Sequence, residues 1–289
     1  MEEKYHCTLP EEVKKYAAEI LHETEGDRDW KIEKMRAWLE TQPHLNARKD
    51  VMSILRFLRG CKYDLTKAQF KMTNFYEMRA KVPEWFSQRD PTLQQLQELL
   101  TIGVFLPLRH PDPEGRLVCI IRAAAHNPHV HLQNDVFKIG KMILDLAVEE
   151  DISELSSVYG VVAIFDLNGV TLAHALQMTP AVIKKAVHAW QDCYPLRTRR
   201  LDFINAPIYV NVILNIFRKF MREKLRKRIQ IHRGGLGNLH KVIPPEILPH
   251  EYGGTDGPLS DLVDYWKQHL LEKRDWFLED EKYKADVPG

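Results

Sequence analysis

Residues 158–167 read VYGVVAIFDL, and this stretch carries the clearest indication of fold class in the chain. Its first eight residues form the longest uninterrupted apolar run of the sequence, and the run ends at Asp166. It is far shorter than the roughly 20 residues that a membrane-spanning helix needs. A short apolar run of this kind is typical of a strand that is buried on both faces.

Helices and further short strands alternate around this run. Apolar residues recur at helical spacing between Val136 and Leu146, and again after Thr179 and Pro180, which stand in the order that favours a helix start. Four more β-like runs are GVFLPL (103–108), RLVCII (116–121), LDFI (201–204) and RIQIH (228–232). The first two flank HPDPEG, a turn-rich link that indicates a hairpin. This alternation predicts an α/β fold whose strands have parallel neighbours.

The first ninety residues are instead predicted to be all-helical. Four amphipathic stretches are predicted to be helices. The first follows Pro10, the second contains Trp30 and Trp38, the third covers residues 51–60 and the fourth covers residues 65–82. A last amphipathic helix is predicted over residues 259–278. We therefore expect three segments, namely a helical N-terminal domain (1–92), an α/β domain (93–256) and a C-terminal helix with its tail (257–289).

The overall composition excludes several classes of protein. The 41 Lys and Arg residues balance 40 Asp and Glu residues, so the net charge is +1 and attraction to phosphates depends on local clusters. No nucleic-acid partner is expected. The four cysteines are scattered without metal-ligand spacing, which indicates neither a disulfide framework nor a zinc site. The charged N-terminus has no apolar signal core, and we expect a cytoplasmic protein.

Signs of catalysis are weak. The sequence contains no GxSxG motif, and GGLG at 234–237 lacks the Lys and Ser/Thr of a phosphate-binding loop. His126, His129 and His131 could converge on zinc, but no carboxylate or cysteine stands at ligand spacing. Asp166 and Asn168 follow the buried strand and are interpreted as a turn. We therefore expect no enzyme activity, no metal and no cofactor other than a bound ligand.

Residues 206–228, APIYVNVILNIFRKFMREKLRKR, combine two contrasting halves. Twelve almost wholly apolar residues precede eleven that contain seven basic groups and one acid. On one continuous helix, Phe217, Met221 and Leu225 would form an apolar stripe beside Arg218, Arg222 and Arg226. This pattern is typical of a helix that lies in a membrane interface. The alternative is an ordinary core helix with a solvated basic end.

Several spaced motifs together resemble the CRAL-TRIO lipid-binding family. They are Asp192-x-Tyr194-Pro195-Leu196-Arg197, Phe203-Ile204-Asn205-x-Pro207, Phe220-x3-Lys224-x3-Arg228 and Leu248-Pro249-x-Glu251-Tyr252-Gly253-Gly254. LRFLRGCKYDLTKA (55–68) is similar to the helical domain that precedes the lipid-binding domain in this family. Within the family, FDLNGVTLAHALQMTP (165–180) is most similar to the branch of alpha-tocopherol transfer protein, cellular retinaldehyde-binding protein and the clavesins.

The resemblance implies a sheet floor, flanking helices and a closed apolar pocket under a mobile helical gate at about 206–222. By position, the implied pocket residues are Val104, Ile121, Phe137, Gly140, Leu144, Val161, Phe165, Trp190, Tyr194, Leu201, Val210, Ile213, Phe217, Phe220 and Met221. Gly140 and Leu144 replace two serines of the tocopherol protein, and Trp190 replaces a smaller aliphatic residue. The pocket is therefore predicted to be more apolar and differently shaped.

The resemblance also implies a site for phosphatidylinositol phosphates beside the gate. Its residues here are Arg197, Arg199, Lys224, Arg226 and Arg228. A further basic position of the helical domain is Cys61 in this chain, and Lys62 is the nearest substitute.

We expect a soluble intracellular carrier that binds one tocopherol-, retinoid- or isoprenoid-like lipid and transfers it at phosphoinositide-containing membranes, endosomal or other. Two alternatives stay open. One is a phosphatidylinositol/phosphatidylcholine exchange protein, and the other is a lipid-sensing adaptor without fast transfer.

Overall fold

The computed structural model describes residues 5–149 and 152–286, so the outermost residues of the first and last predicted segments lie outside the described residues. The N-terminal part is helical, as the sequence predicts. Its helices are α1 (Glu11–Tyr16), which continues as a π-helical turn over Ala17–Leu21, α2 (Glu25–Glu40), α3 (Val51–Gly60), α4 (Leu65–Lys81), α5 (Pro83–Phe86) and α6 (Gln94–Ile102).

Local capping explains where two of these helices begin. The side chain of Asp50 accepts a hydrogen bond from the Ser53 N–H (2.8 Å) at the start of α3, and Asp64 accepts one from the Lys67 N–H (3.1 Å) at the start of α4. At the other end, α4 stops before Pro83, since proline cannot continue the hydrogen-bond ladder of a helix. The buried faces of α1 to α4 share one apolar cluster.

The remaining chain alternates strands with helices. The strands are β1 (Phe105–Pro107), β2 (Leu117–Arg122), β3 (Val161–Asp166), β4 (Thr198–Ile204) and β5 (Ile229–Ile231). The helices are α7 (Gln133–Glu149), α8 (Ile152–Tyr159), α9 (Leu172–Gln177), α10 (Pro180–His188), α11 (Val210–Phe220), α12 (Glu223–Arg226), α13 (Leu236–Leu239), α14 (Leu259–Glu272) and α15 (Arg274–Asp280). A π-helical turn over Ala189–Cys193 extends α10.

The five strands form one sheet in the order β1-β2-β3-β4-β5. β1 pairs with β2 in antiparallel fashion, as the hairpin signal predicts, and the other pairs are parallel. In β3, Val162 and Ile164 point into the cluster that also holds α6 and α14. Ala163 and Phe165 point into the cluster that holds α10 and α11. The α/β fold predicted from the sequence is therefore confirmed.

Some boundaries differ from the sequence prediction. Residues 206–228 are not one helix, because the backbone is extended at Met221 between α11 and α12. The two stripes proposed for that helix therefore do not continue past its break. Val158 and Tyr159 end α8, so the central strand starts later, at Val161. The C-terminal helix is divided at Lys273, and α9 has no counterpart in the prediction.

A buried ion cluster joins the C-terminal helices to the rest of the chain. Asp280 on α15 accepts hydrogen bonds from Arg48 (2.8 Å), Arg79 (2.6 Å) and Arg89 (2.7 Å). Arg89 also binds Asp145 on α7. Burial raises the pKa of Asp280, but the charges of the three arginines lower it to about 2. Removing one member of such a cluster leaves buried charges without partners.

The Asp280→Ala substitution tests this cluster. We expect it to lower the free energy of unfolding by about 3–5 kcal/mol, because buried arginines lose their carboxylate. Urea unfolding measures the change. Since the folded pKa of Asp280 lies below that of a free carboxyl, its stabilisation is present at pH 5 and is lost as the pH falls through about 2.

The control is Asp275→Ala on the same helix, whose side chain is exposed. It should change the free energy of unfolding by less than about 0.5 kcal/mol. Equal effects of the two substitutions would contradict a stabilising role of the buried cluster.

Candidate functional site

A cavity of about 220 Å³ lies between the sheet and the helices that cover one of its faces. Phe165 and Phe203 stack in its floor, with ring centroids 4.7 Å apart. Of the pocket residues predicted from the sequence, twelve line the cavity: Val104, Ile121, Phe137, Gly140, Leu144, Phe165, Trp190, Leu201, Val210, Ile213, Phe217 and Met221. The wall is almost wholly apolar, so an apolar molecule can occupy it without loss of hydrogen bonds.

Three predicted pocket residues do not line this cavity. Val161 packs at the start of β3 against the apolar clusters beneath the sheet. Tyr194 is buried one layer behind the wall, where its ring makes an edge contact with Phe75 of α4 (5.3 Å between centroids). Phe220, the last residue of α11, packs into the same apolar cluster as Val210 and Leu214 of that helix. Sequence position alone does not distinguish a wall residue from one that packs behind it.

One side of the cavity, formed by the segment around α9, is absent from the residues predicted from the sequence. Leu167, Val170, Ala175 and Met178 line the cavity from this side. The available signal was the spacing of Ala175 and Met178, which places both on one face of a short helix. The segment was recognised only as a family motif and was not interpreted as part of the wall.

Helix α11 turns its apolar side chains mainly to the cavity. Val210, Ile213 and Phe217 line it. The outer side is mixed, because Asn211, Asn215 and Lys219 are exposed there beside Val212. Ile208, just before the helix, is 99% exposed, and Val212 is 67% exposed. The outside of the helix therefore carries individual apolar side chains among polar ones.

Exposed apolar side chains continue from the start of α11 onto α9. Leu172 and Leu176 are 73% and 70% exposed. The Tyr209 hydroxyl donates a hydrogen bond to the Val170 carbonyl (2.9 Å), which connects the start of α11 to the segment before α9. We call Leu172, Leu176, Ile208 and Val212 the apolar rim, since they lie outside the cavity on the two elements that cover it.

A side-chain amide fixes the end of α11. The Gln191 Nε2 donates to the Phe220 carbonyl (3.1 Å), and its Oε1 accepts from the Arg222 N–H (3.1 Å). These bonds satisfy backbone groups that the helix leaves unpaired where it stops. The break at Met221 is therefore held by the π-helical turn that follows α10.

A basic surface forms where the N-terminal helices meet the sheet. The backbone at Gly60, the end of α3, lies close to the backbone at Pro195. A Cβ atom on Gly60 would lie 2.8 Å from the Pro195 carbonyl oxygen, so this position requires glycine. Burial, and then the charges of four neighbouring cations, lower the pKa of Lys224; these neighbours are Lys62, Arg197, Arg199 and Arg228. Lys62 therefore belongs to the surface, as its position beside Cys61 suggests.

Like charges repel in this group. Burial and the charges of Arg199 and Arg228 lower the pKa of Arg197 to about 10, although Tyr16 opposes the change. The guanidinium groups of Arg197 and Arg228 donate to backbone carbonyls, those of Val158 and Thr198. An anion at this surface would relieve the repulsion.

Other cations near the basic surface form ion pairs with carboxylates, which neutralise their charge. Arg200 binds Asp202 (2.6 Å), and Arg222 binds Asp192 (2.8 Å). Lys227 binds Glu223 (2.7 Å). Among the described residues, we find no such ion pair for Arg197, Arg199, Lys224 or Arg228. Arg226 is turned the other way, with its Nε donating to the Met221 carbonyl (2.8 Å).

The histidine-rich loop packs against α9. His126 and His131 have ring centroids 6.5 Å apart, and His131 lies 3.4 Å from Glu98. His129 is exposed. Across residues 5–149 and 152–286, no group of three or more metal-ligating side chains is placed to hold an ion. Within the same ranges, no helix has the length and apolar composition that crossing a bilayer requires.

Comparison with known proteins agrees with this geometry. The profile of the CRAL/TRIO domain matches residues 103–254, and that of the Pinta-like UBA domain matches residues 24–96. Alpha-tocopherol transfer protein-like of Homo sapiens is 31% identical over 277 residues, which cover 96% of this chain and 79% of that protein. Clavesin-2 of Rattus norvegicus is 30% identical over 278 residues, or 96% and 83% of the two chains.

Among solved structures, the crystal structure of Sfh5 has a TM-score of 0.50. Its sequence identity is 16%, and the match covers 78% of this chain and 81% of that chain. At this identity, the likeness concerns the fold alone.

Filling the cavity from α7 tests whether it is the binding space. In Gly140→Leu, the new side chain should occupy the cavity, because a Cβ atom there meets only Phe105, at 3.6 Å. The free energy of unfolding should rise slightly, since leucine is the better helix former by about 0.8 kcal/mol. Binding of Nile red, an uncharged apolar dye, should weaken at least tenfold (roughly 1.4 kcal/mol) in a fluorescence titration.

Gly26→Leu on α2 is the matched control, because nothing lies within 4 Å of a Cβ atom there. It should leave dye binding unchanged. Undiminished binding by the Gly140→Leu variant would show that the dye binds elsewhere.

Proposed function

The chain belongs to the CRAL/TRIO family, and we propose that it is a carrier for one small hydrophobic lipid of the tocopherol, retinoid or isoprenoid type. In this proposal the lipid is enclosed in the cavity and exchanged at membranes that contain phosphoinositides. The observation that carries the proposal is an almost wholly apolar cavity covered by α11, with the apolar rim exposed beside it.

The lining of the cavity favours a cargo without a phospholipid headgroup. Its wall is almost wholly apolar around a volume of about 220 Å³. A phospholipid with two acyl chains needs more space and a polar region for its headgroup. The cavity therefore supports a single small lipid over phosphatidylinositol/phosphatidylcholine exchange.

The gate is proposed to open by a shift of population at the bilayer. In water, opening would expose the cavity side of α11 in addition to Ile208 and Val212, which costs free energy in proportion to the apolar area. Against lipid, the same side chains become buried. The membrane therefore favours the open state because it binds that state better.

The basic surface is proposed to select the membrane. Its residues are Lys62, Arg197, Arg199, Lys224 and Arg228. Each basic residue near an anionic bilayer contributes about 1 kcal/mol. Lys224 follows the gate helix by only four residues, so binding of a phosphorylated headgroup would bring the apolar rim to the bilayer. Arg226, although predicted, is expected to contribute less because its guanidinium binds the Met221 carbonyl.

In this proposal no covalent bond is made or broken, and no cofactor is needed apart from the cargo. The name of one relative refers to transfer of alpha-tocopherol, which supports carriage over catalysis. We expect the protein to act in the cytoplasm and to visit endosomal or other phosphoinositide-bearing membranes. A lipid-sensing adaptor would share the cavity but would not need rapid exchange, so transfer rates separate the two functions.

The double substitution Arg199→Ala/Lys224→Ala tests the basic surface. We expect it to weaken binding to phosphatidylcholine vesicles that contain phosphatidylinositol bisphosphate by about 30-fold, which corresponds to about 1 kcal/mol for each residue. Binding to vesicles of phosphatidylcholine alone should not change. Vesicle co-sedimentation at a fixed salt concentration measures both.

The matched control is Arg222→Ala/Lys227→Ala, which removes the same charge from residues already paired with Asp192 and Glu223. It should weaken vesicle binding by less than threefold (roughly 0.7 kcal/mol). If both double variants bind equally, binding depends on total charge and the proposed site is wrong.

The double substitution Ile208→Asp/Val212→Asp tests the apolar rim. It should slow transfer of bound retinol to acceptor vesicles at least tenfold (roughly 1.4 kcal/mol), because two carboxylates would have to enter the membrane interface. Retinol binding itself should change little, since both side chains point away from the cavity. Stopped-flow fluorescence measures transfer.

Phe70→Asp, at an exposed apolar position on α4, is the control and should transfer at the normal rate. A normal transfer rate in the Ile208→Asp/Val212→Asp variant would exclude a gate that opens by contact with the bilayer.

A further inference from the structure

Two cationic residues, Arg122 and Lys141, line the almost wholly apolar cavity. Lys141 is on α7 beside Gly140, and it is only 3% exposed. Its ammonium group lies over the ring of Tyr194, with Nζ 4.4 Å from the ring centroid. A ring face stabilises a cation far less than a carboxylate does. A buried charge without an opposite charge is costly and needs an explanation.

The nearest carboxylate is already bound by other cations. Asp145 lies one turn further along α7, where it binds Arg89 and lies 3.9 Å from Arg79. Both arginines also share Asp280. Arginines therefore occupy both buried carboxylates, Asp145 and Asp280, while Lys141 lies at the cavity. Among the described residues, we find no ion pair for its ammonium group.

Arg122 and His174, which also line the cavity, have hydrogen-bond partners in the protein. Arg122 donates to the Ile102 carbonyl (2.6 Å). The Nε2 of His174 lies 3.0 Å from the His126 carbonyl, and its Nδ1 lies 2.8 Å from the Thr171 hydroxyl. Among the described residues, the Lys141 ammonium has the Tyr194 ring face beside it and no hydrogen-bond acceptor. Gly140 next to it has no side chain to block the approach of a ligand.

We propose that Lys141 binds the carboxylate of the cargo, so that the carried lipid is a hydrophobic acid. This inference rests on the proposed carrier function and specifies its substrate class. A carboxylate matches the single charge of Lys141, whereas a phosphate monoester would bring about two negative charges to one lysine. Burial lowers the pKa of Lys141 to about 8, so the group keeps its proton at neutral pH.

Matched probe pairs test the inference. Retinoic acid and retinol share one skeleton, and palmitic acid and hexadecanol provide a second pair. We expect the wild-type protein to bind at least one acid ten times more tightly than its alcohol in a tryptophan-quenching titration at pH 7, because Trp190 lines the cavity. Lys141→Met should weaken acid binding by at least tenfold and change alcohol binding by less than threefold. Lys141→Arg, which keeps the cation, should retain the preference for the acid.

Lys138→Met is the control, because Lys138 lies on the same helix, is equally buried and is absent from the cavity wall. It should leave the preference for the acid unchanged. Equal binding of acid and alcohol by the wild-type protein would overturn the inference and leave the carrier function intact. If Lys141→Met weakened the binding of acid and alcohol equally, the inference would likewise be overturned and the carrier function left intact. Failure of all four probes to bind would contradict the carrier function itself.

Discussion

The central strand β3 has to bury both of its faces, and the rest of the structure follows from this constraint. On one face, the side chains of α6, α7 and α14 fill the space against Val162 and Ile164. On the other face, α10 and α11 cover Phe165 without filling the space above it, so a cavity remains. An empty apolar cavity costs a folded protein on the order of a few kcal/mol. An apolar ligand offsets that cost, so binding of the ligand also stabilises the fold.

In the proposed function, the covering helix α11 has to satisfy two environments. When closed, its inner side chains stabilise the cavity, and Ile208 and Val212 remain in water. A bilayer would reverse this balance, because it would bury both groups of apolar side chains. Lys224 and Arg228 of the basic surface follow α11 along the chain, so electrostatic attraction would act next to the element that is proposed to move. The cavity, the gate and the charge cluster are therefore parts of one exchange cycle in the proposed function.

Much of this arrangement was predictable from the sequence. The run at 158–165 indicated the buried strand, and alternating patterns indicated the parallel sheet. The break at Met221 was not predictable, because it depends on Gln191, which is thirty residues away in sequence and has no periodicity of its own. Lys141 was missed for a similar reason, since its exceptional position follows from the pairing of Asp145 with arginines on other elements. Long-range polar contacts carry no local pattern.

The most direct test of the central claim is mass spectrometry of the lipid extracted from protein purified from its natural source, with a matched blank. The proposed carrier function predicts one dominant small lipid, present at nearly one molecule per protein chain. A spread of phosphatidylinositol and phosphatidylcholine species, or no lipid above the blank, would contradict it.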